Sequence, residues 1–531
     1  MYLPTLFWSA IKRISIALLF ISFSVWSIAQ NKPAKIKILI NDGTTEKPTS
    51  ARVKMIDSHG HIAPLPSEAI GIMYGRDDRA EGFTYQPDSA FYVNGSFSLS
   101  LDPGSYRMTI SKGFEFVQQQ VELNITSGQE LSKTITLKRW VNMPEKGWYS
   151  TDDHIHIRRS PRENPYILQW LAAEDVHVGA LLQMGDFWAT YYSQYDFGQD
   201  GVYQEEDYML TAGQEDPRTH EVGHTIILGA EDDIRYRNQY YLYDMFFDKA
   251  HELNGVTGYA HQGMSFNGSR GMTIDVLRRK IDFLELLQFC VPEGPIHLDN
   301  YYRFLDLGYK LTATAGSDFP WCGVGEGWNS QIGNARFYTY IDGPFSFENW
   351  KKSLKAGHTF VSSGPMLDFK VEGLLPGDSL NLKKKKKVTI TATARGHQKQ
   401  IPLEYLEIVA HGKVIASIKP SDDNQSPSEL HLEMELPIDH GVWVAARAGA
   451  LNHQLAHTTP VYITLNGDGF HNPESAPAYL DASEKFLQEL EAEIAQRNER
   501  VNFNAWRYQE DLQKRIDEAR EIIEELSGKL K

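Results

Sequence analysis

The chain has 531 residues and a net charge of −16, with 41% hydrophobic and 23% charged residues. That length accommodates about three domains at roughly 150 residues each, and the acidity argues against nucleic acid or anionic lipid as the main partner. Its only cysteines, Cys290 and Cys322, exclude a disulfide-built scaffold and leave their own pairing open.

Lys12 and Arg13 precede an apolar run from Ile14 to Val25, and Ser27-Ile28-Ala29 places small residues where a leader peptidase cuts. This pattern predicts a signal peptide over 1–29. The apolar stretch, about a dozen residues, falls short of the roughly 20 that a membrane span needs. A secreted or periplasmic protein without a stable membrane span after cleavage is therefore expected.

From 35 to 140, short alternating runs such as Ile36, Ile38 and Ile40, then Phe97, Leu99 and Leu101, then Tyr106, Met108 and Ile110, predict a small β-sandwich. His59-Gly60-His61 lies in a polar, hairpin-like stretch there and is read as a turn. From 147 to 365 the texture changes. Apolar runs at 176–184, 225–228, 256–260, 283–289 and 311–315 alternate with helical patterns at 166–173, 240–253, 274–283 and 301–307, which favours a β/α barrel or related α/β layer.

β patterning returns over 366–466, including 388–394, 406–409, 414–418 and 442–446, and a second β-sandwich is the economical expectation. Lys383 to Lys387 reads as a solvated turn or edge strand. The segment 478–531 is helical. Phe486, Leu487, Leu490 and Ile494 make one stripe and Leu512, Ile516, Ala519, Ile523 and Leu526 another, with a break expected over Asn498–Asn504. Such stripes dock on the body of the protein or on a second copy, which would make a homo-oligomer.

The chemistry concentrates at Asp152-Asp153-His154-Ile155-His156. A strand that alternates its side chains puts His154 and His156 on one face, with Asp152 placed to orient a ligand histidine from behind. Distant partners occur in Gly213-Gln214-Glu215, Gly223-His224, Ala260-His261 and Gly316-Ser317-Asp318, each at or just after an apolar, strand-like run. Ligands collect in this way when parallel strands aim their C-terminal ends at one cavity. His220, one helical turn before His224, is an alternative to it. Histidine and carboxylate ligands suit zinc, manganese or iron.

In this order, these motifs and the later Ala356-Gly-His358-Thr-Phe-Val-Ser-Ser-Gly-Pro365 resemble the CehA/McbA metallohydrolases of the PHP superfamily, over about Gly147 to Pro365. Pro103-Gly-x-Tyr106 and Gly147-Trp148-Tyr149 resemble the carboxypeptidase-regulatory-like sandwich that often precedes such domains. The resemblance implies a multidomain α/β plus β protein: a PHP-like distorted β/α barrel flanked by two β-sandwich domains and a C-terminal helical segment. It also implies one metal on His154, His156, Glu215 and Asp318 and a second on Glu215, His224 and His261. A third is not expected, because Pro320 stands where relatives carry a further histidine.

Asp186 is a candidate for orienting substrate or water, and His358, where relatives commonly have arginine, for contacting an anionic group. Phe187, Trp188, Tyr191, Tyr192, Trp321 and Trp328 could wall a pocket for a small-molecule or glycan-like substrate. Arg158, Arg159 and Arg270 are candidate phosphate clamps. The expected function is an exported hydrolase that uses metal-activated water on an ester, carbamate or phosphoester bond. Its competitor is a non-catalytic surface scaffold binding glycan or protein.

Overall fold

The computed structural model describes residues 32–71, 89–261, 267–288, 298–320, 331–421, 423, 425–496 and 505–529. The expected signal peptide, both cysteines, Trp321, Trp328 and the break at 498–504 lie outside them. The described residues form two compact units, one from residues 32–70 and 89–139 without 113–115, the other from 71, 113–115 and 140–529.

In the first unit the strands are β1 (Ala34–Asp42), β2 (Ser50–Asp57), β3 (Phe91–Asn94), β4 (Ser96–Leu101), β5 (Gly104–Ser111), β6 (Gln119–Ile125) and β7 (Glu130–Leu137). They make two sheets, ordered β4-β1-β7 and β3-β2-β5-β6. Alternation does the work: on β1, Ile36, Ile38 and Ile40 are buried while Lys35 and Lys37 face solvent. Val53, Met55, Phe97, Met108 and Ile110 join them in one core.

The second unit opens with β8 (Trp148–Ile155), α1 (Asn164–Ala173), β9 (Val178–Gly185), β10 (Thr190–Tyr191), β11 (Tyr203–Glu205), β12 (Tyr208–Glu215), β13 (Arg218–Thr219) and β14 (Gly223–Leu228). It continues with α2 (Tyr243–Glu252), β15 (Val256–Tyr259), α3 (Gly268–Leu277), β16 (Phe283–Gln288), α4 (Asp299–Asp306), β17 (Thr312–Gly316), β18 (Arg336–Tyr340), α5 (Phe347–Ala356) and β19 (Thr359–Ser362). Then follow β20 (Met366–Val371), β21 (Ser379–Leu382), β22 (Lys386–Arg395), β23 (Leu403–Ala410), β24 (Lys413–Ile418), β25 (Glu429–Ile438), β26 (Val442–Ala450), β27 (Gln454–Thr458) and β28 (Val461–Leu465). Two long helices, α6 (Ala476–Ile494) and α7 (Gln509–Lys529), close the described chain.

The expected distorted β/α barrel between two separate sandwiches is not what forms. Strands dominate the described residues, and one curled sheet runs through 148–465, carrying β8 to β19 together with β21, β23, β24 and β26 to β28. The junctions are the antiparallel pair β19–β27 and the ladder β26–β28. A β/α barrel needs parallel neighbours joined by helical crossovers, and here β14 pairs antiparallel with both β12 and β15 while β18 pairs antiparallel with β8 and β19. Apolar runs alternating with helical patterns reveal that strands and helices alternate; they do not reveal which strands pair.

Parallel pairing survives locally, in β8–β9, β9–β12, β15–β16 and β16–β17. Those strands end on a common edge, and antiparallel β14 begins there. A separate sheet, β20-β22-β25, covers Leu406, Ile408 and Val444 from β23 and β26. Lys383 to Lys385 form the expected exposed turn, while Lys386 and Lys387 start β22, the middle strand of that sheet and not an edge, and pair with Glu372 and Glu435.

The α6 and α7 stripes are covered by their own chain. Leu487, Leu490, Ile494, Leu512, Ile516, Ala519 and Ile523 share a core with α3 and α4. Ion pairs ring the contact: Arg515 to Asp244 at 2.7 Å, Arg278 to Glu518 at 2.9 Å, and Arg278 to Asp244 at 2.7 Å. These apolar residues are spent on intramolecular packing and are not available for the homo-oligomer considered from sequence.

Candidate metal centre

Six side chains expected from sequence converge on the common strand edge. His154 closes β8 with Ile155 and His156 follows it; Glu215 ends β12, His261 and Asp318 each lie two residues beyond β15 and β17, and His224 starts β14. All six are buried. The antiparallel entry of β14 is what delivers His224 to an edge otherwise made of strand C-termini. His220 is exposed, and its backbone carbonyl accepts a hydrogen bond from Asn267, so His224 holds the position.

Two subsets emerge, His154 with His156 and Glu215, and Glu215 with His224 and His261, each able to hold a metal ion. Glu215 serves both. Its Oε2 lies 3.4 Å from His156 Nε2 and 3.9 Å from His154 Nε2, while Oε1 lies 2.7 Å from His224 Nδ1 and 3.8 Å from His261 Nε2. Asp318 adds Oδ1 at 3.3 Å from His154 Nε2 and 3.4 Å from His156 Nε2, with Oδ2 3.7 Å from His261.

The far sides of the rings explain what the near sides offer. His156 Nδ1 donates to the Leu182 carbonyl at 3.1 Å, and His154 Nδ1 donates to Glu285 Oε1 at 3.0 Å. In the neutral rings, Nε2 therefore carries a lone pair. Both Nε2 atoms are buried and make no hydrogen bond, yet they face carboxylate oxygens. Lone pair against carboxylate at 3.3–3.4 Å is repulsive unless a proton or a metal ion lies between. Ligand bonds of about 2.0–2.1 Å set at tetrahedral angles separate neighbouring donors by about 3.3–3.4 Å, the spacing seen here.

The electrostatics divide the histidines. Burial lowers His224 to about 4, with Arg218 adding to the effect, and lowers His261 to about 3. Both are neutral, lone-pair donors near pH 7. Burial also resists protonation of His154, but Asp318, Glu285 and Glu215 outweigh it and raise its pKa well above the ordinary value. Against burial, Arg218 and the surrounding histidines keep Glu215 ionised well below the usual carboxylate range. Protons and metal ions compete for the His154 pair, and the carboxylates attract either.

Several contributing residues escaped the sequence reading. Glu285 holds two of these histidines at once, since its Oε2 also accepts the His261 backbone N–H at 2.7 Å. A lone acid inside the apolar run Phe283-Leu284-Glu285-Leu286-Leu287 was the available signal. Gln288 donates to Asp318 Oδ2 at 3.0 Å, and Arg218 Nε lies 3.6 Å from Glu215 Oε2; neither spacing announces itself in sequence. Gly316 lets β17 approach β8, because a Cβ there would lie 2.4 Å from His154 Cβ.

Other expected participants lie elsewhere. Asp152 does not orient an imidazole; it accepts the backbone N–H groups of His154, Ser317 and Gly333, tying β8 to the segment after β17. Asp186 accepts from Trp188 N, Ala189 N and the Tyr191 hydroxyl, which makes it the organiser of the loop after β9. From that loop Tyr192 packs against His156 with ring centroids 5.4 Å apart. His358 pairs with Asp378 at 3.2 Å. Its neighbour Thr359 donates to Ala313 O at the start of β17, the end opposite Asp318. Arg159 is engaged by Gln194 and the Gly201 carbonyl and Arg270 by Glu489, so neither is a clamp at this centre.

No family model matches the chain and no curated protein matches it. Among solved structures, a streptococcal ancillary pilin aligns at 14% identity and a TM-score of 0.13, over 23% of this chain and 36% of that one. A pilus-presented adhesin aligns at 11% identity and a TM-score of 0.11, over 20% of this chain and 27% of that one. The chain thus covers about a third or less of the length of these proteins, and similarity at this level defines no class for it.

Proposed function

We propose that this chain is an exported metal-dependent hydrolase holding one or two divalent ions, zinc, manganese or iron, on His154, His156, Glu215, His224, His261 and Asp318. The observation that carries the reading is the pair of buried imidazole Nε2 atoms facing carboxylate oxygens at the donor spacing of a coordination shell. The order of the motifs, which resembles that of the CehA/McbA metallohydrolases, supports it.

Divalent ions held there would supply a water of lowered pKa and would polarise the scissile carbonyl or phosphoryl oxygen. The protein's own part is positioning. Glu215 offers one oxygen to each histidine pair, Leu182 O and Glu285 fix the two β8 imidazoles, and Gln288 fixes Asp318. Tyr192 covers one side of His156, and Arg218 provides a fixed positive charge beside Glu215. The bonds that fit are esters, carbamates or phosphoesters in a small-molecule or glycan-like substrate.

The test is turnover of aryl esters, aryl carbamates and aryl phosphates by metal-loaded protein. Turnover of at least one class is expected, with loss on chelation, recovery on metal addition and abolition in His154→Ala, His156→Ala. Failure of the folded protein to retain any divalent ion refutes the proposal. Metal retention without turnover of any class, together with glycan or protein binding unchanged in the double variant, favours a scaffold.

A further inference from the structure

We infer that the β2 hairpin of the first unit carries a separate, solvent-open site for a transition-metal ion, formed by Asp57, His59 and His61. This inference is independent of the buried centre and of any catalytic role for it.

His59-Gly60-His61 is a turn, as the sequence suggested, and its construction leaves a ligand set over. Asp57, the last residue of β2, accepts the backbone N–H groups of His59 and His61 with Oδ1, at 2.8 Å each. Asp57 N donates to His61 O at 2.8 Å, Gly60 N donates to Asp57 O at 3.1 Å, and Gly60 takes a φ of 84° that suits glycine. One carboxylate oxygen and the backbone thus define the turn. The other oxygen, Oδ2, points between the imidazoles, 3.0 Å from His61 Nδ1 and 3.9 Å from His59 Nδ1.

The rings lie side by side, with centroids 5.8 Å apart and planes inclined at 25°. The donor atoms lie within 4.8 Å of one another. A tetrahedral ion with bonds of about 2.0–2.1 Å needs donors about 3.3 Å apart. His61 Nδ1 shares a hydrogen bond with Asp57 Oδ2 at 3.0 Å that an ion would replace, and His59 Nδ1, now 3.4 Å from the Ser58 hydroxyl, turns inward by side-chain rotation to complete the set. That motion is cheap, because the two side chains are 76% and 80% exposed and no packing opposes it.

Two imidazoles and one carboxylate select borderline ions, zinc and, by the order of divalent affinities, copper(II) more strongly. Three protein donors leave at least one position open to water or to an external ligand. The turn itself requires only Asp57 and Gly60, so the chelate is additional to the fold.

The test is calorimetric titration of metal-stripped full-length protein with zinc and with copper(II), alongside electron paramagnetic resonance of the copper-loaded samples. In the parent, one copper equivalent beyond those of the buried centre is expected, with nitrogen hyperfine structure and a dissociation constant in the micromolar range. His59→Ala, His61→Ala removes that equivalent and its nitrogen signal while the buried centre keeps its own ions. His154→Ala, His156→Ala does the converse. Identical stoichiometry and spectra in the parent and His59→Ala, His61→Ala overturn the inference, as does parent affinity at this site weaker than millimolar. Loss of binding at the buried centre alone overturns the proposed function and leaves this site standing.

Discussion

Replacing Glu285 with glutamine tests whether the buried imidazoles are held as ligands. The carboxylate accepts two hydrogen bonds, His154 Nδ1–H at 3.0 Å and His261 N–H at 2.7 Å, on different oxygens. A glutamine of the same shape has one carbonyl oxygen, so its amide N–H groups confront one of the two donors. The His261 donor is backbone and cannot change. The strain therefore falls on His154, whose ring relieves it by moving its proton from Nδ1 to Nε2, the atom that faces Asp318 at 3.3 Å. That tautomer cannot bind a metal through Nε2.

Loss of such a partner behind a ligand histidine costs about 10–100-fold in metal affinity, or about 1.4–2.8 kcal/mol. Competition against a chromophoric chelator near neutral pH measures it directly, with circular dichroism to establish that both proteins are folded. An affinity for zinc within about threefold of the parent would refute the argument that Glu285 sets the His154 tautomer.

The remaining predictions probe the same unit by other routes. Gly316→Ala forces a methyl to within 2.4 Å of His154 Cβ and 2.5 Å of Asp153 Oδ1; zinc affinity in the same competition assay should fall by at least about tenfold as β17 and β8 part. Trp350→Ala removes a fully buried indole that donates to Thr151 Oγ1 at 3.0 Å, and urea denaturation should show a loss of about 3–5 kcal/mol. Burial raises Asp275 to about 7, against the opposing pull of Arg278 and the Tyr259 hydroxyl. The folded state then binds this proton more tightly than the unfolded chain. The Asp275 contribution to stability should be full below the ordinary value of 3.8, fall as pH rises toward about 7 and be lost above it. Asp275→Asn should flatten that slope in denaturation midpoints measured across the window. Zinc at about a thousandfold over its dissociation constant should stabilise the parent by about 4 kcal/mol, read as a rise in Tm that is absent in His154→Ala, His156→Ala.

The centre was more legible in the sequence than the architecture around it. His154 and His156 announce themselves by period-two spacing, and their distant partners by their place after apolar runs; both are local properties. Strand pairing is not local. Nothing in Gly223–Leu228 distinguishes a parallel strand from the antiparallel β14 that interrupts the expected barrel. β18 and α5 went unread, although Ser346 caps α5 through Asn349 N and Gly357 ends it at a φ of 78°. Helix α3 was expected at 274–283 and spans Gly268–Leu277. Gly268 and Gly271, poor helix formers, hid its start, and Gly271 is there because a Cβ would meet Val222 O at 2.0 Å. Strand β25 was missed because its polar alternation, His431-Leu432-Glu433-Met434-Glu435, leaves only a thin apolar face.

The covering role of α6 and α7 bears on how the chain reaches its native state. Residues 476–529 are synthesised after the helices they cover, so the apolar surfaces of α3 and α4 stay open to water until those residues emerge. During that interval a nascent chain presents a sticky face with no partner of its own. Biogenesis should therefore depend on holding chaperones, and premature termination before 476 should yield aggregates in place of a smaller folded protein.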